Sequence, residues 1–202
     1  MKLYITPTSP YARMARIVVI EKGLAERVEI IPAQTRAAGS PYYLLNPSGR
    51  VPFLVRDDGV GIEDSGLIAA YLDSLDGRPG LTQPASLQGW AYGRLEGYAR
   101  SIVDGISVWV REMRRPDGER SPTILAHEAA RAERLATFWE REIGHPLMQG
   151  PLHMAQMLLI AGIDQAQHGG LAEFDKGRPK LAIWARRLRE RPSIRDTAPG
   201  TK

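Results

Sequence analysis

Up to Leu75 the apolar positions come in short bursts separated by turn residues. Leu3 to Ile5 is an apolar run that Pro7-Thr8-Ser9-Pro10 interrupts, which predicts a first strand. Tyr11 to Lys22 carries Ala12, Ala15, Val19 and Ile20 at helical spacing, with Gly23 as a stop signal. Val28 to Ile31 predicts a second strand, and the β-α-β spacing predicts a parallel pair joined by a crossover helix. Arg36 to Leu45 reads as a weaker helix or an irregular segment, ended by Asn46-Pro47-Ser48-Gly49. Phe53 to Val55 and Val60 to Ile62 flank the turn signal Asp57-Asp58-Gly59 and predict a hairpin. Ser65 to Leu75 then places Leu67, Ile68, Tyr71, Leu72 and Leu75 for a helix. The predicted order is β-α-β-α-β-β-α, a first domain over residues 1–77.

Beyond a Gly- and Pro-rich linker, 78–84, no strand pattern recurs, and 85–202 reads as an all-helical domain. Ala85 to Arg115 is one long helical stretch, with breaks or kinks expected near Gly89, Gly93, Gly97 and Gly105, because an interior glycine costs about 1 kcal/mol relative to alanine. Ser121-Pro122 is a helix start, serine as cap and proline in the first turn, for a helix reaching about Ile143. Leu152 to Gln167 is apolar nearly all round and is expected to be the buried central helix. Lys180 to Arg191 is a last amphipathic helix.

Composition narrows the function classes. Hydrophobic residues make up 43% of the 202, enough for a packed core. The formal net charge of +4 is unevenly spread: 8 basic and 9 acidic residues up to Asp76, 19 and 14 after it. That excess is too weak for a nucleic-acid-binding tail, and no nucleic-acid partner is expected. There is no cysteine, which excludes disulfides, thiolate metal sites and a cysteine nucleophile. The four histidines, 127, 145, 153 and 168, show no metal-binding spacing, and no metal is expected. No stretch reaches the roughly 18 apolar residues of a membrane span, and Met1 leads straight into the first strand, so a cytoplasmic protein is expected.

Four segments carry a resemblance. They are Thr8-Ser9-Pro10-Tyr11-Ala12-Arg13, Asn46-Pro47-Ser48-Gly49-Arg50-Val51-Pro52-Phe53-Leu54, Ile62-Glu63-Asp64-Ser65-Gly66-Leu67-Ile68-Ala69-Ala70-Tyr71-Leu72 and Arg191-Pro192-Ser193-Ile194-Arg195-Asp196-Thr197. In this order and spacing the chain resembles the cytosolic glutathione S-transferase family, with its active-site turn closest to bacterial serine-type members. The resemblance implies a thioredoxin-like α/β domain followed by an all-α domain. Two departures stand out. The family's buried helix usually begins with Ser or Thr and has Asp three residues on, where this chain has His153 and Gln156. The residue before the serine of the third segment, usually Glu or Gln, is the shorter Asp64.

The resemblance also implies a chemistry. Glutathione is the co-substrate, and its thiol, with a pKa near about 8.5, must become thiolate to attack a small hydrophobic electrophile. Ser9 is the expected catalytic hydroxyl, with Thr8 as its competitor, and the helix N-terminus adds positive potential. Read locally, Ser9-Pro10 is equally a helix cap and first-turn proline. Val51-Pro52, whose bond is cis in the family, offers extended backbone to the cysteinyl part. Asp64 and Ser65 suit the γ-glutamyl ammonium and carboxylate, though either also suits a plain helix cap. Arg50 reaches toward the peptide or is a solvated surface arginine.

An electrophile pocket is expected near Tyr11, Tyr98, Trp109 and Met113, a stripe that core packing would also explain. The family further implies a homodimer, a detoxification role, and room for glutathione-dependent peroxidase activity. A different class of function, a non-catalytic scaffold binding an acidic protein through Arg186, Arg187, Arg189, Arg191 and Arg195, competes with a simple solvated helix face there.

Overall fold

The computed structural model describes residues 1–78, 80–82 and 89–200. They form two compact units. The first gathers the described residues before the break at 83–88 together with the segment from Asp196; the second runs from 89 to Arg195. The C-terminal segment thus groups with the first unit, not with the helices that precede it in sequence. Of the expected linker, residues 79, 83 and 84 lie outside the described residues, as do 85–88 of the expected helix start.

The first unit is a thioredoxin-like domain. Its elements are β1 (Lys2–Ile5), α1 (Pro10–Glu21), β2 (Glu29–Pro32), α2 (Tyr42–Leu45), β3 (Phe53–Val55), β4 (Gly61–Glu63) and α3 (Ser65–Ser74). The four strands lie in the order β2-β1-β3-β4. β1 and β2 are parallel, as a crossover through α1 requires, and the other pairs are antiparallel. Leu3 and Leu54, side by side in the ladder, are both fully buried. Met14, Ile17 and Val18 of α1 and Ile68 and Leu72 of α3 complete this core.

Of the segment Arg36 to Leu45, read as a weaker helix or irregular, the part up to Pro41 is irregular and only α2 is helical. The end of α3 is tied to the chain that follows it. Asp73, wholly buried, accepts the backbone N–H groups of Gly80, Leu81 and Thr82 and the Thr82 hydroxyl, and lies 3.2 Å from Lys22 Nζ. Burial alone would raise the Asp73 pKa, but the Thr82 bonds and Lys22 hold it below the ordinary value.

The second unit is all helix among the described residues: α4 (Gly89–Met113), a short 3₁₀ turn (Asp117–Glu119), α5 (Pro122–Glu142), α6 (Pro146–Gln149), α7 (Met154–His168), α8 (Pro179–Arg189) and α9 (Pro192–Arg195). The expected breaks in the long helix do not occur; α4 runs 25 residues through Gly93, Gly97 and Gly105. Packing supplies the compensation. A Cβ on Gly105 would stand 2.8 Å from Glu128 Oε2 of α5, and one on Gly162 of α7 2.5 Å from Ile102 Cγ2 of α4. Absent side chains at these points let the helices approach closely. α7 is buried from Met154 through Ala166 and forms the centre. Gln156 reaches back to accept the His153 N–H at 2.9 Å, and His153 Nε2 donates to the Leu147 carbonyl at 2.9 Å.

Candidate functional site

Strand pairing gathers three turns at one end of the sheet. Phe53 opens β3 and pairs with Tyr4, near the end of β1, and with Glu63, the end of β4. The chain therefore leaves β1 toward Ser9, enters β3 from Arg50-Val51-Pro52, and leaves β4 at Asp64-Ser65, all at this end. Residues separated by up to 56 positions in sequence become neighbours for one reason, the antiparallel register of β3.

Ser9 caps α1. Its Oγ accepts the Ala12 N–H at 3.2 Å, and Pro10 takes the first helical position, where a missing N–H costs nothing. The Ser9 side chain is half-buried and its oxygen forms the cap, while its hydroxyl has no acceptor among the described residues. Thr8 is half-buried in the same turn.

The Val51-Pro52 bond is cis. The turn before it is held by side chains that sequence reasoning passed over. Tyr42 of α2 donates its hydroxyl hydrogen to the Arg50 carbonyl, and Asn46 Nδ2 donates to the same oxygen at 3.0 Å. Asn46 Oδ1 accepts the Ser48 N–H at 3.1 Å. The Ser48 hydroxyl accepts the Arg50 N–H at 3.2 Å and donates to Glu63 Oε2, which links this turn to the end of β4. Gly49, at φ 66°, lies against the Tyr43 ring, 2.7 Å from where a Cβ would be, so a side chain fits here on neither count. The Arg50 side chain itself is exposed.

Asp64 is the cap of α3. One carboxylate oxygen, Oδ1, accepts both the Gly66 N–H at 2.8 Å and the Leu67 N–H at 3.0 Å. Oδ2 takes no part in this cap. Asp64 has φ 81°, a backbone region that side chains rarely occupy and that clusters at ligand sites. Ser65 follows at the first helical position and is only 5% exposed. The arrangement suits a zwitterionic ligand: the Ser65 hydroxyl and N–H for a carboxylate, the Asp64 Oδ2 for an ammonium.

The four residues expected around an electrophile fall in both units. Tyr11 lies on α1 of the first. Tyr98, Trp109 and Met113 lie on α4 of the second. Tyr98 stacks on Phe138 of α5, ring centroids 4.1 Å apart, with the Arg94 guanidinium over both rings. Its ring is thus committed to α4–α5 packing on at least one face. Met113 is 38% exposed and Trp109 half-buried.

The chain is similar to several known proteins. Residues 3–80 match the family model described as glutathione S-transferase, N-terminal domain. The GST-like protein YibF of Escherichia coli K12 is 31% identical over 134 residues, 66% of this chain and 65% of that protein, so the match spans just under two thirds of that relative. Glutathione S-transferase 2 of Saccharomyces cerevisiae is 27% identical over 206 residues, covering 96% of this chain and 88% of the yeast protein. A crystal structure of a glutathione transferase family member from Pseudomonas fluorescens Pf-5, with bound S-(propanoic acid)-glutathione, superposes with TM-score 0.85 at 25% identity over the whole of both chains.

Proposed function

Given that the chain belongs to the glutathione S-transferase family, we propose that it binds glutathione at the end of the sheet where Ser9, Val51 and Ser65 meet and presents the thiolate to a small hydrophobic electrophile. The observation that carries this reading is the convergence of three turns on one sheet end, imposed by the pairing of Phe53 with Tyr4 and Glu63.

The roles follow from the chemistry of each turn. Ser65, through its hydroxyl and its own N–H, receives the γ-glutamyl carboxylate, and Asp64 Oδ2 the ammonium. The Val51 main chain pairs with the cysteinyl unit as an added strand would. Arg50, exposed beside it, meets the peptide's free carboxylate end. That sequence of contacts leads the sulfur to the start of α1. There the Ser9 hydroxyl donates to it and the positive end of the helix favours the anion. The nucleophile comes with the ligand, consistent with a chain that has no cysteine. The thiolate then attacks the electrophile, and the leaving group departs with the displaced electron pair. Reduction of a hydroperoxide by the same thiolate is a compatible side activity.

The reading includes a cytoplasmic homodimer acting in detoxification, tested for assembly by light scattering at micromolar concentration. A protein-binding scaffold is less well supported. Of the cations it would use, Arg187 donates to Gln149 at 2.8 Å and Arg189 lies 2.7 Å from Asp164, both within the second unit. The direct test is calorimetric titration with glutathione, followed by assay with an activated aryl halide. Saturable binding and glutathione-dependent release of halide are expected. Absence of binding overturns the reading, and binding without turnover restores the scaffold.

A further inference from the structure

The Arg50 carbonyl is gripped by two buried donors. Tyr42 is 5% exposed and Asn46 2%, and both donate to this one oxygen, filling its lone pairs. What they hold is a direction. The Arg50–Val51 peptide is trans, since Val51-Pro52 is the cis bond of the described chain. In a planar trans peptide the C=O and the N–H point opposite ways. Turning the Arg50 carbonyl toward α2 therefore turns the Val51 N–H away from α2. Among the described residues no main-chain carbonyl accepts that N–H. Free rotation of this peptide unit would scatter the N–H over many directions, and a ligand would have to order it on binding.

We propose that Tyr42 is a positioning residue for glutathione, acting through the Arg50 carbonyl to aim the Val51 N–H at the ligand's cysteinyl backbone. The proposal rests on the glutathione-binding reading above. The hydroxyl is separable from the ring's packing. The Tyr42 ring sits 5.7 Å from that of Tyr4 and 6.5 Å from that of Phe53, contacts that a phenylalanine keeps. Burial also pushes the Tyr42 pKa up, so the hydroxyl stays a donor throughout the neutral range.

The test compares the parent with Tyr42→Phe, Asn46→Asp and the control Tyr43→Phe by calorimetric titration with glutathione, thermal melting, and the backbone amide resonances of Val51 and Ser65. Tyr42→Phe is expected to weaken binding about two- to tenfold, the worth of one hydrogen bond. Its melting stays near that of the parent, and Tyr43→Phe binds as the parent does. The ligand-induced shift of the Val51 amide shrinks while that of Ser65 persists. Asn46→Asp, which removes the other donor to the same oxygen and keeps the acceptor for Ser48, reproduces the loss at Val51. A purely structural hydroxyl would lower melting and leave both amide responses intact. Unchanged affinity in Tyr42→Phe, or loss of the Val51 and Ser65 responses together, overturns the proposal. Failure of the parent to take up glutathione overturns the functional reading itself, which is a different result.

Discussion

The Ser9 hydroxyl oxygen accepts the Ala12 N–H at 3.2 Å, so one atom both caps α1 and stands at the positive end of that helix. Capping consumes a lone pair and leaves the proton. The same side chain therefore stabilises the fold and remains able to donate to an anion, and the two roles can be separated by experiment.

Ser65 and Asp64 are expected to respond differently to truncation. Ser65→Ala removes a hydroxyl that takes no part in the cap, which is formed by Asp64 Oδ1. It should weaken glutathione binding by about 1.5–3 kcal/mol, the worth of a hydrogen bond to a charged group, and leave melting nearly unchanged. Asp64→Ala should lose binding and also about 0.5–2 kcal/mol of stability, because two N–H groups lose their acceptor. Calorimetry and chemical denaturation of the two variants check this. Parent-like binding in both removes these residues from the site.

Asp73 should dominate the stability of the first unit among its polar residues. Asp73→Ala strands the N–H groups of Gly80, Leu81 and Thr82 and removes a partner of Lys22. Breaking a buried ion pair from one side costs about 3–5 kcal/mol, and Asp76, 2.8 Å from Lys22, moderates the loss toward the lower figure. The pH dependence has a definite sign. The folded pKa is depressed, so the contribution is present above the unfolded value of about 3.9 and is lost as pH falls through the folded one. Urea midpoints measured from pH 7 down to 3 should decline in the parent and much less in the alanine variant.

His153 gives the second unit a titration of its own. Burial lowers its pKa, against opposing contributions from the Leu147 carbonyl and Glu96, and the Tyr92 ring meets it edge-to-face, ring centroids 5.2 Å apart. The fold thus prefers neutral imidazole. Its stabilising contribution is full above the unfolded value of about 6.5 and is lost as pH falls toward the depressed folded value. His153→Ser restores an ordinary cap hydroxyl and removes the titration. The drop in melting temperature between pH 7.5 and 5 should be smaller in this variant than in the parent; equal drops would exclude His153 as the source.

Two glycines should answer alanine with opposite signs. Gly97 has nothing within 4 Å of its would-be Cβ, so Gly97→Ala should stabilise by up to about 1 kcal/mol through helix propensity alone. Gly162→Ala gains the same propensity but drives a methyl to 2.5 Å from Ile102 Cγ2. Overpacking costs about 1–3 kcal/mol, so the clash wins and the variant is destabilised. Thermal melting of the pair decides the matter.

Helical and strand periodicity made the order of elements legible, because the long surface helices bury one face and α7, buried throughout, is apolar nearly all round. The short helices α6 and α9 escaped, since four residues led by Pro146 or Pro192 carry no period to read. The long helix α4 was legible, but its passage through the interior glycines without a break was not, because Gly105 is placed by its neighbours on α5 and not by propensity. Ser9, Val51, Pro52, Asp64 and Ser65 were nameable as candidates, through the family resemblance of their segments. Tyr42 was not, because its partner is a main-chain carbonyl that has no signature in sequence. The return of the C-terminal segment to the first unit, where Arg13 Nε donates to the Thr197 hydroxyl at 3.3 Å across 184 positions, likewise has no local signal.

The central claim is that Ser9 and the start of α1 make a thiolate of bound glutathione. Ultraviolet titration of the thiolate in the complex measures this directly, in the parent beside Ser9→Ala and Thr8→Ala. The parent should bring the thiol below its free value of about 8.5, and Ser9→Ala should raise it by about one unit, worth ~1.4 kcal/mol. The helix end would retain roughly 0.3–1 kcal/mol of the effect, so activity should fall without vanishing. Thr8→Ala should titrate as the parent does. An unchanged titration in Ser9→Ala with a raised one in Thr8→Ala would move the role to Thr8. A parent complex that titrates like free glutathione would contradict the account.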